Sequence, residues 1–485
     1  MEPVFGLPIS IPSRSSGERL RALHGQLRAA ILEGRLQPGL RLPSTRALAD
    51  ACGVSRNTAM AAYDLLLGEG YLVARQGAGT YVANALPDLT QRKAPGERHS
   101  SSDRRLNTFW RQSAVAIDPP RESPPRFDFR LGVPDISHFP MDVWRRLSSR
   151  VLRAYCKMPV PFDEPHGRPA LREAIARYVS FARAVACQAD DITVTAGAQQ
   201  AFDLLARILV TPGRAVVAVE NPGYPPVRAA FAAAGAKIVA TPVDAEGLVV
   251  ERLPPNAAVI CVTPSHQFPL GSAMSARRRA ALLEFAHARG AVVIEDDYDS
   301  EFRFGGRPLD ALQTLDRTES VFYVGTFSKS LFPALRLGFA VAPPWAHRAL
   351  GEAKRYADSH SAPLTQETLA AFIAGGHLAR HVRRMRRIYG ARREVLLDGL
   401  RAEFGRWLEP VPSVAGLHLA ALAKASVDIP LVAENALRRE VGVRSVERFR
   451  SGRSGGTPGL VFGYGALDEQ GILAGLARLR RVFGK

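Results

Sequence analysis

The chain has 485 residues, 46% of them hydrophobic, and a formal net charge of +18. At roughly 150 residues per domain this length implies two to four domains with at least one large core, and it excludes disorder of the whole chain. No stretch approaches the roughly 18 consecutive apolar residues of a membrane span, the N-terminal stretch lacks a secretory pattern, and Cys52, Cys156, Cys187 and Cys261 form no CxxC pair, so the expectation is a cytoplasmic protein without membrane, disulfide framework or metal.

The positive charge is spread along the chain. Residues 1–82 carry nine arginines against six acidic residues, and the excess continues beyond them. Such basicity favours polyanions without locating a binding face. Lysine, by contrast, is scarce: seven of the 64 cations are lysines, so a nucleophilic amine has few candidates.

At the front, Leu20, Leu23, Leu27, Ala30 and Ile31 fall at helical spacing within Glu18 to Arg35. Ser44 is placed to cap a short helix from Thr45 to Ala51, Gly53 suits the break after it, and Ser55 caps a third helix from Arg56 to Gly68. Ala59, Ala62, Tyr63 and Leu66 form its inward face, while Arg56, Asn57 and Met60 face out or sit at its start. Strands Leu72 to Arg75 and Thr80 to Ala83 flank a tip with Gly77 and Gly79, which makes a wing. Two helices joined by a short glycine turn let the second enter a major groove; a structural or dimerising module is the alternative.

The run from Leu27 to Val82 resembles the GntR-type winged helix-turn-helix, because turn, cap and wing match together. The resemblance implies a DNA-binding domain over residues 15–83 in which Arg46, Ser55, Arg56, Asn57 and Thr58 meet phosphate and base edges, and Gly77 lets the wing approach the minor groove. Arg56 suits base reading through both acceptors of guanine, with a phosphate contact as the alternative. Met60 stands where many such proteins carry a basic residue.

Residues 84–126, rich in Pro, Ser and charge, read as a linker in which Phe109 and Trp110 can anchor a short piece. From residue 127 to 485, runs such as AVVAVE (215–220), AAVICV (257–262), AVVIED (291–296), SVFYVG (320–325) and LGFAVA (337–342) alternate with amphipathic stretches. That pattern predicts an α/β domain with a mainly parallel sheet covered by helices.

Lys329 follows one such run, with hydroxyls at Thr326 and Ser328 and a guanidinium at Arg336. An aldehyde cofactor needs a partly desolvated lysine for a Schiff base, and its phosphate needs hydroxyl donors and a permanent cation. Asp296, at the end of AVVIED, is a candidate to keep a pyridine nitrogen protonated, and Tyr298 to reach the ring oxygen; solvated or helix-capping roles are the alternatives. Gly197 leads into a helix whose first amides, at Ala198 and Gln199, form an anion site or an ordinary turn. Tyr224, on a proline-rich turn, either stacks on the pyridine or packs at the surface.

In the order GAQQ, NPGY, PSHQFPLG, EDDYDSEF, TFSKS, LRLGF, these segments resemble fold-type I aminotransferases over residues 127–485. The resemblance implies pyridoxal 5'-phosphate on Lys329, Asp296 at its ring nitrogen, Tyr298 at its phenolic oxygen, and Thr326, Arg336, Ala198 and Gln199 at its phosphate. Phe268 departs from the pattern, since an asparagine usually occupies its place, and this argues against efficient transamination. A substrate carboxylate in this fold commonly meets an arginine near the C-terminal end, and among Arg444, Arg448 and Arg450 the choice falls on Arg444.

A GntR-type reader joined to such a block resembles the MocR family of bacterial transcriptional regulators. That implies a domain-swapped homodimer on a double-stranded DNA operator, with an amine, an amino acid or a B6 vitamer as effector. The alternative is an active aminotransferase with a DNA-binding appendage; under the regulator reading any transamination is a vestigial half-reaction.

Overall fold

The computed structural model describes residues 9–12, 16–84, 105–112, 124–157, 164–305, 310–424, 427–452 and 455–483. The chain divides into two compact units, Met1–Leu106 and Asn107–Lys485.

In the first unit, helix α1 (Ser16–Leu32) buries Leu23, Leu27, Ala30 and Ile31. It stops short of the expected Arg35 because Gly34 takes φ 72°, a left-handed conformation that closes a helix end. Helix α2 (Thr45–Cys52) is capped by Ser44 Oγ, which accepts from Ala47 N at 3.2 Å, and ends at Gly53 with φ 62°. Helix α3 (Arg56–Gly68) starts at Ser55, whose Oγ accepts from Thr58 N at 3.1 Å, and buries Ala59, Ala62, Tyr63 and Leu66. Strands β1 (Leu72–Arg75) and β2 (Gly79–Val82) pair antiparallel, with Leu72 opposite Val82 and Arg75 opposite Gly79. The second strand therefore begins one residue earlier than the sequence suggested.

Of the expected linker, residues 85–104 and 113–123 lie outside the described residues. The piece bearing the two aromatics is a short helix, α4 (Thr108–Gln112), with Phe109 and Trp110 edge-to-face at 4.9 Å.

In the second unit, β3 (Phe127–Asp128) is followed by helices α5 (Met141–Tyr155) and α6 (Pro169–Arg183) and then by β4 (Ile192–Thr195). Helix α7 (Ala198–Leu209), β5 (Val216–Asn221), α8 (Pro225–Ala233), β6 (Lys237–Asp244), β7 (Gly247–Leu248), β8 (Ala257–Val262), β9 (Val292–Asp297), β10 (Val321–Thr326) and β11 (Gly338–Val341) complete the large sheet and part of its cover. Its order is β4-β11-β10-β9-β8-β5-β6-β7. Strands β6, β5, β8, β9 and β10 run parallel, and the burial of β5, β8, β9 and β10 on both faces explains their continuous Val and Ala runs, whereas β6 is mostly half-buried or exposed. Strand β11 is antiparallel to both neighbours. Residues 327–337 are too short a connection for the helical crossover that a parallel return needs.

A four-stranded antiparallel sheet follows, built from β12 (Leu408–Pro410), β13 (His418–Ala423), β15 (Arg444–Ser445) and β16 (Gly459–Gly463). Just before β15, β14 (Val441–Gly442) pairs in parallel with β3, which seats the beginning of the unit beside its C-terminal part. The carboxyl ends of β5, β9 and β10 carry Asn221, Asp297 and Thr326, and in open parallel sheets ligands bind at such ends.

Candidate functional site

A cavity of about 700 Å³ opens at these strand ends. Lys329, Asp296, Tyr298, Tyr224, Ala198, Gln199, Thr326, Arg336 and Arg444 all line it, so the structure brings together every residue singled out for cofactor and effector. The sequence separates the first from the last of them by most of the second unit. The sheet removes that separation.

Lys329 Nζ donates to the carbonyl of Gly132 at 2.8 Å. Burial pulls its pKa below the usual lysine range, opposed by the charges of Asp299 and Asp296. Gly132 has φ 67°, and a Cβ there would lie 2.6 Å from Nζ, so the close approach requires glycine. Asp296 is buried, and burial together with Asp297, Glu220 and Asp299 holds its carboxyl well above the usual range, against the pull of Lys329. Its Oδ1 is buried without a hydrogen-bond partner. Such an atom is costly to leave unpaired, and a protonated pyridine nitrogen would satisfy it.

On the other side, α7 begins at Gly197, with φ 82° and no side-chain cap. A Cβ at Gly197 would stand 3.1 Å from the Arg336 guanidinium, which donates to the Ala196 carbonyl. Ser328 N donates to Thr326 Oγ1 at 3.2 Å, and the two hydroxyls are 3.1 Å apart. Open helix amides, two hydroxyls and a guanidinium form a cradle suited to a dianionic phosphate. The residues thus fit pyridoxal phosphate on both the ring and the phosphate sides.

Tyr298 donates to the backbone carbonyl of His266 at 2.9 Å while its side chain lines the cavity. Tyr224 is the N-terminal boundary residue of α8, and its ring meets Phe268 edge-to-face at 5.3 Å. Phe268 also contacts Tyr298, His418 and Phe449, with ring centroids 6.0, 5.7 and 5.1 Å away. Where an asparagine would donate a hydrogen bond, this chain has the hub of an aromatic cluster.

Asp128, Arg130, Gly132, His418 and Phe449 also line the cavity and went unrecognised in the sequence. The β3 to β14 pairing brings the first three there, and no local motif announces that pairing. His266, Asp299 and His418 form a buried cluster although they lie far apart in the chain. Asp299 pairs with His266 Nδ1 at 3.0 Å, and His418 Nε2 meets the Pro269 carbonyl at 3.1 Å.

In the first unit Arg46, Ser55, Arg56, Asn57 and Gly77 are exposed and Thr58 is half-buried. Gly77 adopts φ 75° at the wing tip, and Met60 is exposed on α3. Arg41 and Arg75 join them from the wing side: Arg41 bridges to Tyr81, and Arg75 lies over the Tyr81 ring at 4.6 Å. Cap geometry fixes the start of α3, so the exposed polar residues there are held on a rigid element.

Sequence comparison accords with this division. The family described as aminotransferase class I and II matches residues 138–453, and the bacterial regulatory proteins of the gntR family match residues 21–82. The chain is 38% identical to the probable rhizopine catabolism regulatory protein MocR of Rhizobium meliloti, over 96% of this chain and 93% of that protein. It is 34% identical to the HTH-type pyridoxine biosynthesis transcriptional regulator PdxR of Corynebacterium glutamicum, over 97% and 96%. The kynurenine aminotransferase of Pyrococcus horikoshii superposes with a TM-score of 0.69 at 26% identity, covering 76% of this chain and 96% of that one.

A gntR-type winged helix-turn-helix and a fold-type I aminotransferase domain on one chain define a class of DNA-binding transcriptional regulators. Within that class the chain belongs to the MocR family, and the regulator reading prevails over that of an aminotransferase with an appendage.

Proposed function

We propose that this regulator binds a double-stranded DNA operator as a cytoplasmic homodimer, with each reader packed on the partner's large unit, and that its large unit senses a small amine or amino acid, or a B6 vitamer, through pyridoxal phosphate at Lys329. The observation that carries this reading is the buried, unpartnered Oδ1 of Asp296 in the same cavity as Lys329 and the Arg336 cradle. When bound, the cofactor supplies an aldehyde that links covalently to a primary amine. Among the described residues no helix is long and apolar enough to cross a membrane.

In this reading Lys329 would hold the cofactor through its side-chain amine. Its lowered pKa favours the neutral, nucleophilic form. Asp296 would serve the ring nitrogen, Tyr298 the phenolic oxygen and Tyr224 the ring face, and Thr326, Arg336, Ala198 and Gln199 would hold the phosphate. Arg444 lines the same cavity and is placed for an effector's carboxylate. In the reader, Arg46, Ser55, Arg56, Asn57 and Thr58 contact the operator, and Gly77 brings the wing close. Phe268 offers no side-chain hydrogen bond, which favours binding and signalling over sustained turnover.

An effector shifts operator affinity only by its differential affinity for two states of the dimer. The expected result is a change of operator affinity, measured by fluorescence anisotropy, with one amine from a broad panel on the cofactor-loaded protein. Unchanged affinity across the panel, free pyridoxal phosphate included, would refute the sensing role.

A further inference from the structure

The large sheet carries another buried carboxyl near Asp296, two strands away at Glu220. Glu220 lies near the end of β5 and Asp296 near the end of β9, with β8 between their strands. Both side chains line a small cavity of about 20 Å³, together with Cys261 and Thr263. Each residue is 7% exposed. Glu220 Oε2 accepts from Thr263 Oγ1 at 2.5 Å and from Gln267 Nε2 at 3.3 Å. Its Oε1, like Asp296 Oδ1, is buried with no hydrogen-bond partner.

We propose that Glu220 is a positioning residue for the cofactor contact of Asp296: across this cavity the two carboxyl groups share one proton, and Glu220 thereby sets the charge that Asp296 presents to the ring. The inference rests on the cofactor reading above. Two carboxylates facing one low-dielectric space do not both ionise readily, and they titrate as a pair. A cavity of about 20 Å³ has room for one water to join them. The transfer is balanced, because the proton that leaves the Glu220 oxygen arrives on Asp296 and the pair keeps one negative charge.

The surrounding groups reinforce this coupling. Burial raises Glu220 to about 7, and its only hydrogen-bond donors among the described residues are Thr263 and Gln267. Burial first, then Asp297, Glu220 and Asp299 raise Asp296, and Lys329 is the cation that opposes them. Burial and then the two acids push the Cys261 thiol up, so it stays neutral, and Tyr224 is likewise held protonated by burial and by Asp296.

Glu220→Gln keeps an oxygen for Thr263 but cannot ionise. With pyridoxal phosphate bound to the full chain, the pH midpoint of the cofactor's visible absorption is expected to rise by at least about half a unit, roughly threefold in proton affinity, because the one negative charge that the pair shares then resides wholly on Asp296, beside the ring. Glu220→Asp should restore much of the original pH dependence, and an unchanged midpoint in Glu220→Gln overturns the proposal. A second measurement needs no cofactor. In urea unfolding of the full chain at pH 8, the effects of Glu220→Gln and Asp296→Asn are expected to be non-additive, and additive effects overturn the shared proton. Failure of the wild type to take up pyridoxal phosphate would overturn the cofactor reading, and the urea cycle would still decide whether the carboxyls are coupled.

Discussion

His381 shows how a single side chain ties stability to pH. It is buried, edge-to-face with Phe139 at 5.7 Å, and burial, then Arg384 and His138, lower its pKa to about 4. An unfolded histidine titrates near 6.5. A depressed folded value contributes stability that is present above about 6.5 and lost as pH falls toward 4. The urea midpoint of the second unit is therefore expected to decline across that window, and His381→Gln to flatten the decline. An equal slope in the variant would assign the acid sensitivity to other groups. This effect could not be read from the sequence, where His381 is one residue in an arginine-rich run, because its environment comes from Phe139 and His138 far earlier in the chain.

Among the elements, caps were the most legible because their chemistry is local. Ser44 and Ser55 each accept from an amide three residues on, as their positions before apolar periods indicated. Ser55→Ala should lower the thermal stability of the reader by about 1 kcal/mol, since Thr58 N loses its acceptor. A change near zero would mean that water replaces the hydroxyl without penalty. The strands were legible for a related reason: a strand buried on both faces must be apolar throughout, so the Val and Ala runs give its place within one residue or so. Its direction is another matter. The reversal of β11 depends on the length of the connection through Phe327 and Leu337 and on pairing with β4, neither of which leaves a mark in the run LGFAVA.

At the scale of the whole molecule, the residues supplied by short motifs were found, and those supplied by distant pairing were not. Lys329, Asp296 and Arg336 each sit in a recognisable segment, whereas Gly132 and Asp128 reach the same cavity through the pairing of β3 with β14. Borohydride reduction of the cofactor-loaded protein should fix the label on Lys329, and Lys329→Ala should abolish it; a mapped label on any other lysine would displace the assignment. The bond from Nζ to the Gly132 carbonyl then acquires a meaning. When the amine is covalently engaged it would have fewer protons to give, so the half-buried Gly132 carbonyl would lose a donor. Gly132 follows β3 in the chain, and the pairing of β3 with β14 seats that backbone at the cavity. Occupancy of the pocket is thus expected to be felt first in the backbone just after β3, as a local loosening of the peptide there, without any need for a message to cross the sheet.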